Sequence, residues 1–107
     1  MKRVLFVCSR NRLRSPTAER VFGARRDLDV ASAGLAPDAE EPLTADLVEW
    51  AELIFVMEKR HRAALNRRFG RRLRHARVVC LDIPDDYGFM DPRLVQLLEA
   101  RVGRHLP

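Results

Sequence analysis

The residues best suited to chemistry lie in the segment Cys8-Ser9-Arg10-Asn11-Arg12-Leu13-Arg14-Ser15, where five residues separate a cysteine from an arginine. A loop that joins a strand to a helix N-terminus turns its backbone N–H groups toward an anion. The planar guanidinium of Arg14 can bond two phosphate oxygens. The positive field of such a loop also favours the thiolate form of Cys8. The segment therefore predicts a phosphate-binding loop that begins with a nucleophilic cysteine.

The setting of this segment carries more weight than its spacing. Because 18 of the 107 residues are arginine, a cysteine with an arginine six positions later arises easily by chance. Cys8, however, directly follows Val4–Val7, an apolar run typical of a strand buried on both faces. Arg14 directly precedes Ser15-Pro16, which predicts a helix start with Ser15 as N-cap and Pro16 at the first helical position.

Apolar runs and helical patterns alternate along the whole chain. We expect strands at Val4–Val7, Leu28–Ala31, Leu53–Met57 and Val78–Ile83, and helices from Ser15, over Leu43–Ala51, over Lys59–Phe69 with Gly70 as C-cap, and from Asp91-Pro92. This alternation predicts an α/β fold, with a four-stranded parallel sheet covered by helices on both faces. Ligands bind such sheets at the carboxyl ends of the strands. The Cys8–Arg14 loop and the Pro84–Met90 loop both belong to that edge.

Length and composition indicate one soluble domain spanning residues 1–107, since 47% of the residues are hydrophobic and 33% are charged. The net charge of +5 favours an anionic partner. Two cysteines argue against a disulfide scaffold and for a reducing, cytoplasmic setting. No run approaches the ~20 apolar residues of a membrane span, and the apolar run near the N-terminus is too short for a signal peptide, so no membrane partner is expected.

Two stretches resemble the active-site signature of the low-molecular-weight protein tyrosine phosphatases: Val4-Leu5-Phe6-Val7-Cys8 through Asn11, and Arg14-Ser15-Pro16-Thr17-Ala18-Glu19. Ser32-Ala33-Gly34 is similar to the next signature of that family. The stretch into Met57-Glu58 also resembles the family, with Glu58 where the family usually carries Asp. The segment between Gly34 and the third strand is shorter than in the family. The resemblance implies a flavodoxin-like architecture and a shortened member of the family.

The resemblance also implies roles for the loop residues. Cys8 would accept the phosphoryl group, giving a cysteinyl-phosphate that water hydrolyses, and Arg14 would stabilise charge on the equatorial oxygens. Asn11 would hold the shape of the loop, and Ser15 would donate a hydrogen bond to the sulfur of Cys8. The remaining loop residues would complete the phosphate-binding loop: Ser9, Arg10, Arg12 and Leu13. The substrate would be phosphotyrosine in a protein or a small aryl phosphate, with no cofactor and no metal.

A general acid must protonate the leaving oxygen, and the family takes it from an Asp in the loop after the fourth strand. Asp85 is preferred because it leaves Tyr87 as an aromatic wall for the substrate, and Asp86 is nearly as well placed. Asp91 remains an alternative, because Asp91-Pro92 matches the dipeptide of the family. The same dipeptide suits a helix N-cap followed by a first-turn proline.

Other features leave alternative functions open. The stretch Lys59–Arg77 contains nine Lys or Arg residues and no acid, typical of a solvated face or of a docking site for an acidic partner. Nucleic acid is the less favoured partner, because few aromatics interleave with the charges. A non-catalytic phosphate- or nucleic-acid-binding module is the main alternative. Arsenate reduction is disfavoured, because Cys80 is interpreted as a core residue within a strand. The histidines, including His61, lack metal-ligand spacing.

Overall fold

The computed structural model describes residues 1–107 and contains four strands that alternate with helices. In chain order these are β1 (Lys2–Cys8), α1 (Arg14–Phe22), β2 (Leu28–Gly34), α2 (Ala45–Trp50), β3 (Leu53–Val56), α3 (Lys59–Phe69), a 3₁₀ helix (Gly70–Leu73), β4 (Arg77–Cys80) and α4 (Pro92–Gly103). All strand pairs are parallel, in the order β2-β1-β3-β4. The predicted fold class, a four-stranded parallel α/β sheet with helices on both faces, is confirmed.

The central strands are buried on both faces because their alternate side chains enter two separate apolar clusters. On one face Phe6 stacks between Phe22 of α1 and Phe55 of β3, with ring centroids 5.7 and 5.4 Å apart, beneath α1 and α4. On the other face Leu5 and Ile54 belong to a cluster with side chains of α2 and α3. Burial on both sides explains the continuous apolar runs in the sequence.

The start of α1 differs from the sequence prediction. The helix begins at Arg14, Leu13 occupies the N-cap position, and no side chain caps it. The prediction of Ser15 as N-cap is therefore wrong, since this fully buried residue turns its hydroxyl toward Cys8 instead. Pro16 still lies in the first turn, where the missing N–H leaves no helical bond unmade.

All four strands differ from their predicted bounds, and in two of them the carboxyl end moves by three residues. The second strand, predicted at Leu28–Ala31, runs over Leu28–Gly34, because its last residues keep pairing with β1. The fourth strand, predicted at Val78–Ile83, covers only Arg77–Cys80. Asp82 interrupts it with a φ of 54°, a left-handed conformation that a regular strand cannot contain. The N–H of Ile83 still donates to the carbonyl oxygen of Met57 at 2.8 Å, and the Pro84–Met90 loop follows at this edge of the sheet.

The helices largely follow the prediction. Helix α3 has the predicted bounds, but Gly70 is no left-handed C-cap, because its φ of −45° continues the chain into the 3₁₀ helix. Helix α2 begins at Ala45 rather than Leu43, after Thr44 caps it. The side chain of Asp91 caps α4, which starts with a proline as predicted. None of the helices is long and apolar enough to cross a membrane.

Candidate active site

The loop between β1 and α1 curls around the sulfur of Cys8. Asn11 makes the turn in a left-handed conformation with a φ of 56°, which asparagine tolerates better than most residues. This turn aims the backbone N–H of Asn11 at Sγ of Cys8, at 3.3 Å. Asn11 is itself buried, so its side chain has to find partners inside the protein.

Those partners form a polar network under the loop. Nδ2 of Asn11 donates to Oγ of Ser15 at 2.8 Å and to Oγ of Ser32 at 2.9 Å. Ser32 in turn donates to Oε1 of Glu19 at 2.5 Å. Sequence reasoning assigned no role to Ser32 or Glu19, although both lie in the stretches that carry the family resemblance. The network fixes the left-handed turn of Asn11 from below.

Cys8 lies at the floor of the loop with 3% of its surface exposed. Its Sγ is 2.9 Å from Oγ of Ser15. Because Oγ of Ser15 already accepts a hydrogen bond from Asn11, its own proton is free to point at the sulfur. Two donors, the Ser15 hydroxyl and the Asn11 amide, thus converge on the sulfur of Cys8.

Arg14 is buried at the other end of the loop, with 2% of its side chain exposed. Its Nη1 donates to Oε2 of Glu58 at 2.5 Å and to the carbonyl oxygen of Ile83 at 2.7 Å. Its Nη2 makes no hydrogen bond within the protein, yet it is not sealed off from solvent. The guanidinium is thus held through Nη1, and Arg14 lines the cavity above Cys8.

Glu58 is the residue that holds Arg14 in place, a contact that sequence reasoning did not foresee. Its carboxylate also accepts hydrogen bonds from Arg60, at 3.3 and 3.1 Å. These bonds, followed by the bond from Arg14, lower the pKa of Glu58 to about 2. Glu58 therefore stays ionised at every physiological pH and serves as a fixed counter-charge.

His61 supports the opposite end of the loop. The buried ring accepts a hydrogen bond at Nδ1 from the Glu58 backbone N–H, at 3.1 Å, as part of a capping box at the start of α3. Burial, together with the charges of Arg14 and Arg60, lowers the pKa of His61 to about 4. The neutral ring therefore carries its proton on Nε2 and donates it to Oγ of Ser9, 2.9 Å away.

The three candidate acids lie in different surroundings. Oδ1 of Asp85 is 3.7 Å from Nε of Arg14, and Asp85 lines the cavity above Cys8. Asp86 is exposed and does not line that cavity. Asp91 caps α4, and hydrogen bonds from Arg93 lower its pKa. Of the three, the structure brings only Asp85 to the cysteine loop.

The aromatic residue expected as a substrate wall lies elsewhere. The half-buried ring of Tyr87 packs against the apolar cluster below α4, and the guanidinium of Arg93 lies over it at 5.4 Å. The exposed side chain of Leu13 takes an apolar position at the cavity instead. Tyr87 does not line this cavity.

The cavity has a volume of about 360 Å³ and is lined by Cys8, Ser9, Arg10, Arg12, Leu13, Arg14, Arg60 and Asp85. Two of its arginines are tied to the segment after β2, because Arg10 pairs with Asp38 at 3.1 Å and Arg12 with Glu40 at 3.6 Å. The backbone joins the same two segments, since the N–H of Glu40 donates to the carbonyl oxygen of Arg10. The rim of the cavity is therefore basic, and contacts with the segment after β2 hold it in place.

The second cysteine lies away from this site. Cys80 is half-buried rather than a core residue, because it ends the short β4, where its thiol lies 3.5 Å from Oδ1 of Asp82. Burial raises its pKa. It lines a different cavity, next to α4, so the structure does not bring it to Cys8.

No protein-family model matches the chain, and no curated protein matches it. Solved structures match it from end to end. A Cys-to-Ser mutant of YwlE arginine phosphatase, with a phosphorylated active-site serine, is 25% identical with a TM-score of 0.74, over 97% of this chain and 95% of that chain. Wzb from Vibrio vulnificus, in complex with benzylphosphonate, is 25% identical with a TM-score of 0.78, over 97% and 96%.

A third structure shows how far the likeness extends. The low-molecular-weight protein tyrosine phosphatase from T. tengcongensis has a TM-score of 0.78 at 21% identity, and the alignment covers 99% of this chain and 100% of that one. The architecture of these phosphatases is thus present here over the whole chain, with the cysteine loop at the end of the first strand.

Proposed function

Because the chain belongs to the low-molecular-weight protein tyrosine phosphatase family, we propose that it hydrolyses phosphomonoesters through a cysteinyl-phosphate on Cys8. The observation that carries this proposal is the arrangement at the sulfur. The Ser15 hydroxyl and the Asn11 amide converge on Sγ, and the buried Arg14, whose Nη2 makes no hydrogen bond within the protein, lines the same cavity. The structural neighbours are phosphatases, and one of them carries a phosphoryl group on its active-site serine.

In the first step the thiolate of Cys8 attacks the phosphorus, and the ester P–O bond breaks as the S–P bond forms. Backbone N–H groups of the loop and the free edge of Arg14 bind the equatorial oxygens, where charge accumulates. Asp85 gives its proton to the leaving oxygen. The products of this step are the alcohol or phenol, a cysteinyl-phosphate and the Asp85 carboxylate.

In the second step a water molecule attacks the phosphorus of the cysteinyl-phosphate. The carboxylate of Asp85 accepts a proton from this water, so that the acid of the first step becomes the base of the second. The S–P bond breaks and the electron pair returns to Cys8. The hydroxyl of Ser15, 2.9 Å from Sγ, supports this departure by donating to the thiolate.

The surroundings of the other carboxylates support Asp85 as the acid. Glu58 has a pKa of about 2 and carries no proton to give. Asp91 is occupied with the N-terminus of α4 and with Arg93. Asp86 does not line the cavity. Asp85 alone combines a place in the lining with exposure to solvent, from which it can be reprotonated.

The rim of the cavity favours an aryl phosphate over phosphoarginine, the substrate class named for the YwlE neighbour. Phosphoarginine keeps a positively charged guanidinium next to its phosphoryl group. That charge would lie among the guanidinium groups of Arg10, Arg12 and Arg60, and like charges repel. Phosphotyrosine carries no such charge, and its ring can contact Leu13.

Two other functions have less support. Arsenate reduction requires further cysteines to resolve the first, and Cys80 lies in a separate cavity. A non-catalytic binding module would need neither the donors aimed at Cys8 nor an acid at the mouth of the loop. The enzyme and the module are separated by a single assay of turnover.

That assay follows hydrolysis of para-nitrophenyl phosphate between pH 5 and 7. Cys8→Ser is expected to abolish turnover, because the hydroxyl is a far weaker nucleophile at these pH values. Asp85→Ala is expected to lower kcat by about 10²–10⁴-fold, the usual contribution of general acid catalysis. Asp86→Ala is the matched control, and we expect it to keep most of the wild-type kcat.

Three outcomes would contradict these assignments. A folded wild-type protein that binds phosphate without turnover would leave a binding module on a phosphatase fold. Equal losses in Asp85→Ala and Asp86→Ala would remove the case for Asp85. Full activity of Cys8→Ser would exclude the cysteinyl-phosphate. If the intermediate forms, acid quenching and mass spectrometry of the wild type would detect it.

A further inference from the structure

The basic stretch Lys59–Arg77 contributes only one side chain, Arg60, to the cavity above Cys8. The stretch carries nine Lys or Arg residues without a single acid. Most of these side chains are exposed. A surface of this charge density calls for an explanation beyond the binding of one phosphate group.

Two further cavities extend from the cysteine loop along α3. A groove of about 410 Å³ shares three lining residues with the cavity above Cys8 and continues past Leu35, Ala36, His61 and Ala64. A third depression of about 380 Å³ is formed by residues 66–72 around the end of α3. Arg68, which lines this depression, donates to the carbonyl oxygen of Leu35 at 2.9 Å and thereby joins it to the groove. The groove is continuous with the cavity above Cys8, and the depression lies next to the groove, so the three follow one path along α3.

One face of α3 forms the side of this path. Arg60, Ala64 and Arg68 are spaced four residues apart and therefore lie in one row on the helix. At 1.5 Å per residue the row spans about 12 Å from Arg60 to Arg68. The small side chain of Ala64 keeps the groove open between the two arginines. We call this row, with the adjoining Arg67 and Arg71, the arginine track.

The far end of the arginine track carries charge that the protein does not neutralise. Arg67 and Arg71 are exposed, and neither forms an ion pair or a side-chain hydrogen bond within the chain. The neighbouring Arg72, by contrast, pairs with Glu49 at 3.1 Å. Unpaired guanidinium groups beside a groove are available to a ligand that brings its own carboxylates.

We propose that the arginine track docks an acidic segment of a phosphorylated protein substrate, adjacent in sequence to the phosphorylated residue in the cavity. This proposal rests on the proposed phosphatase function. An extended peptide advances about 3.3 Å per residue, so acidic side chains about three to six positions from the phosphorylated residue would reach Arg67 and Arg71. A nucleic acid fits less well, because Phe69 is the only aromatic ring there and Arg68 covers it at 5.0 Å.

The test compares two phosphotyrosine peptides, one with glutamates at the third to sixth positions on both sides and one with glutamines there. The wild type is expected to show a kcat/KM about tenfold higher for the acidic peptide, because its glutamates form exposed ion pairs with Arg67 and Arg71. The double variant Arg67→Gln with Arg71→Gln is expected to lose most of this preference. Raising the salt concentration is expected to weaken the preference in the wild type.

The matched control is Arg20→Gln with Arg26→Gln. These two arginines are exposed and lie on the opposite side of the sheet, with α1, and they form no ion pair. This control variant loses the same total charge as the variant of the arginine track. If it keeps the preference for the acidic peptide, the preference depends on the arginine track and not on net charge. An equal loss in both double variants would overturn the proposal, because net charge alone would then explain the preference.

Failure of the proposed function is detected separately. Turnover of para-nitrophenyl phosphate reports on the phosphatase itself, and fluorescence anisotropy with the unphosphorylated acidic peptide reports on docking alone. Normal turnover without any preference for the acidic peptide would overturn the docking proposal and leave the phosphatase standing. Binding of single-stranded RNA of the same length, with no binding of the acidic peptide, would also overturn it and assign the surface to nucleic acid.

Discussion

Replacing His61 with asparagine tests the support of the cysteine loop most directly. Oδ1 of an asparagine occupies roughly the place of Nδ1 and can still accept from the Glu58 backbone N–H, whereas the bond to Ser9 is lost. The ring is buried, so the variant loses one internal hydrogen bond and leaves a small void. We expect a loss of about 2 kcal/mol in the free energy of unfolding at pH 7.

The pH dependence gives the sharper test. The pKa of His61 is about 4 in the folded chain and 6.5 as its ordinary value. Because the folded pKa is depressed, the stabilisation is fully present above pH 6.5 and is lost as the pH falls through 4. Between pH 7 and pH 5 the unfolded state takes up about 0.7 of a proton at this ring, while the folded ring stays mostly neutral. This linkage amounts to about 2 kcal/mol.

Urea unfolding at pH 7 and at pH 5 measures this difference. The wild type should lose about 2 kcal/mol more than His61→Asn between the two pH values, since the variant has no ring to protonate. His75→Asn is the control, because this exposed histidine should leave the wild-type difference in place. The same loss in wild type and His61→Asn would refute the buried neutral ring.

Two further changes probe the anchors of the loop. Glu58→Gln removes the counter-charge of Arg14, and we expect a loss of ~1–3 kcal/mol at pH 7, together with a lower kcat for para-nitrophenyl phosphate. The pKa of Glu58 is about 2 instead of its ordinary 4.5. The difference in free energy of unfolding between wild type and Glu58→Gln should therefore be present above pH 4.5 and vanish toward pH 2. A difference that stays constant with pH in urea unfolding would contradict the ion pair. Gly34→Ala would place a Cβ 2.7 Å from the carbonyl oxygen of Ser9. We expect thermal unfolding to show a loss of ~1–3 kcal/mol in the free energy of unfolding. An unchanged Tm would contradict the close approach of these two segments.

The sequence predicted the sheet and the position of the cysteine loop, because both depend on local patterns. Val4–Val7 is a continuous apolar run, and the residues fully buried in β1 are those four. Element boundaries were less predictable where one residue decides them. Nothing in the apolar run Val78–Ile83 signals that Asp82 takes a left-handed φ and ends the pairing early.

The supports of the loop could not be predicted, because they join residues far apart in sequence. Arg14 and Glu58 are 44 positions apart, and Ser9 and His61 are 52 apart. His61 was considered only as a metal ligand, and its spacing excluded that role without revealing another. The one available signal was Glu58 three residues before His61, a spacing that suits a reciprocal cap at a helix start.

The two ends of the cysteine loop are held by one short piece of backbone. Glu58 binds Arg14 through its carboxylate, and its own N–H binds the ring of His61, which binds Ser9. The first turn of α3 therefore fixes the loop at both ends. One carboxylate, Glu58, pairs with two guanidinium groups, those of Arg14 and Arg60, and so positions both of them at the cavity above Cys8.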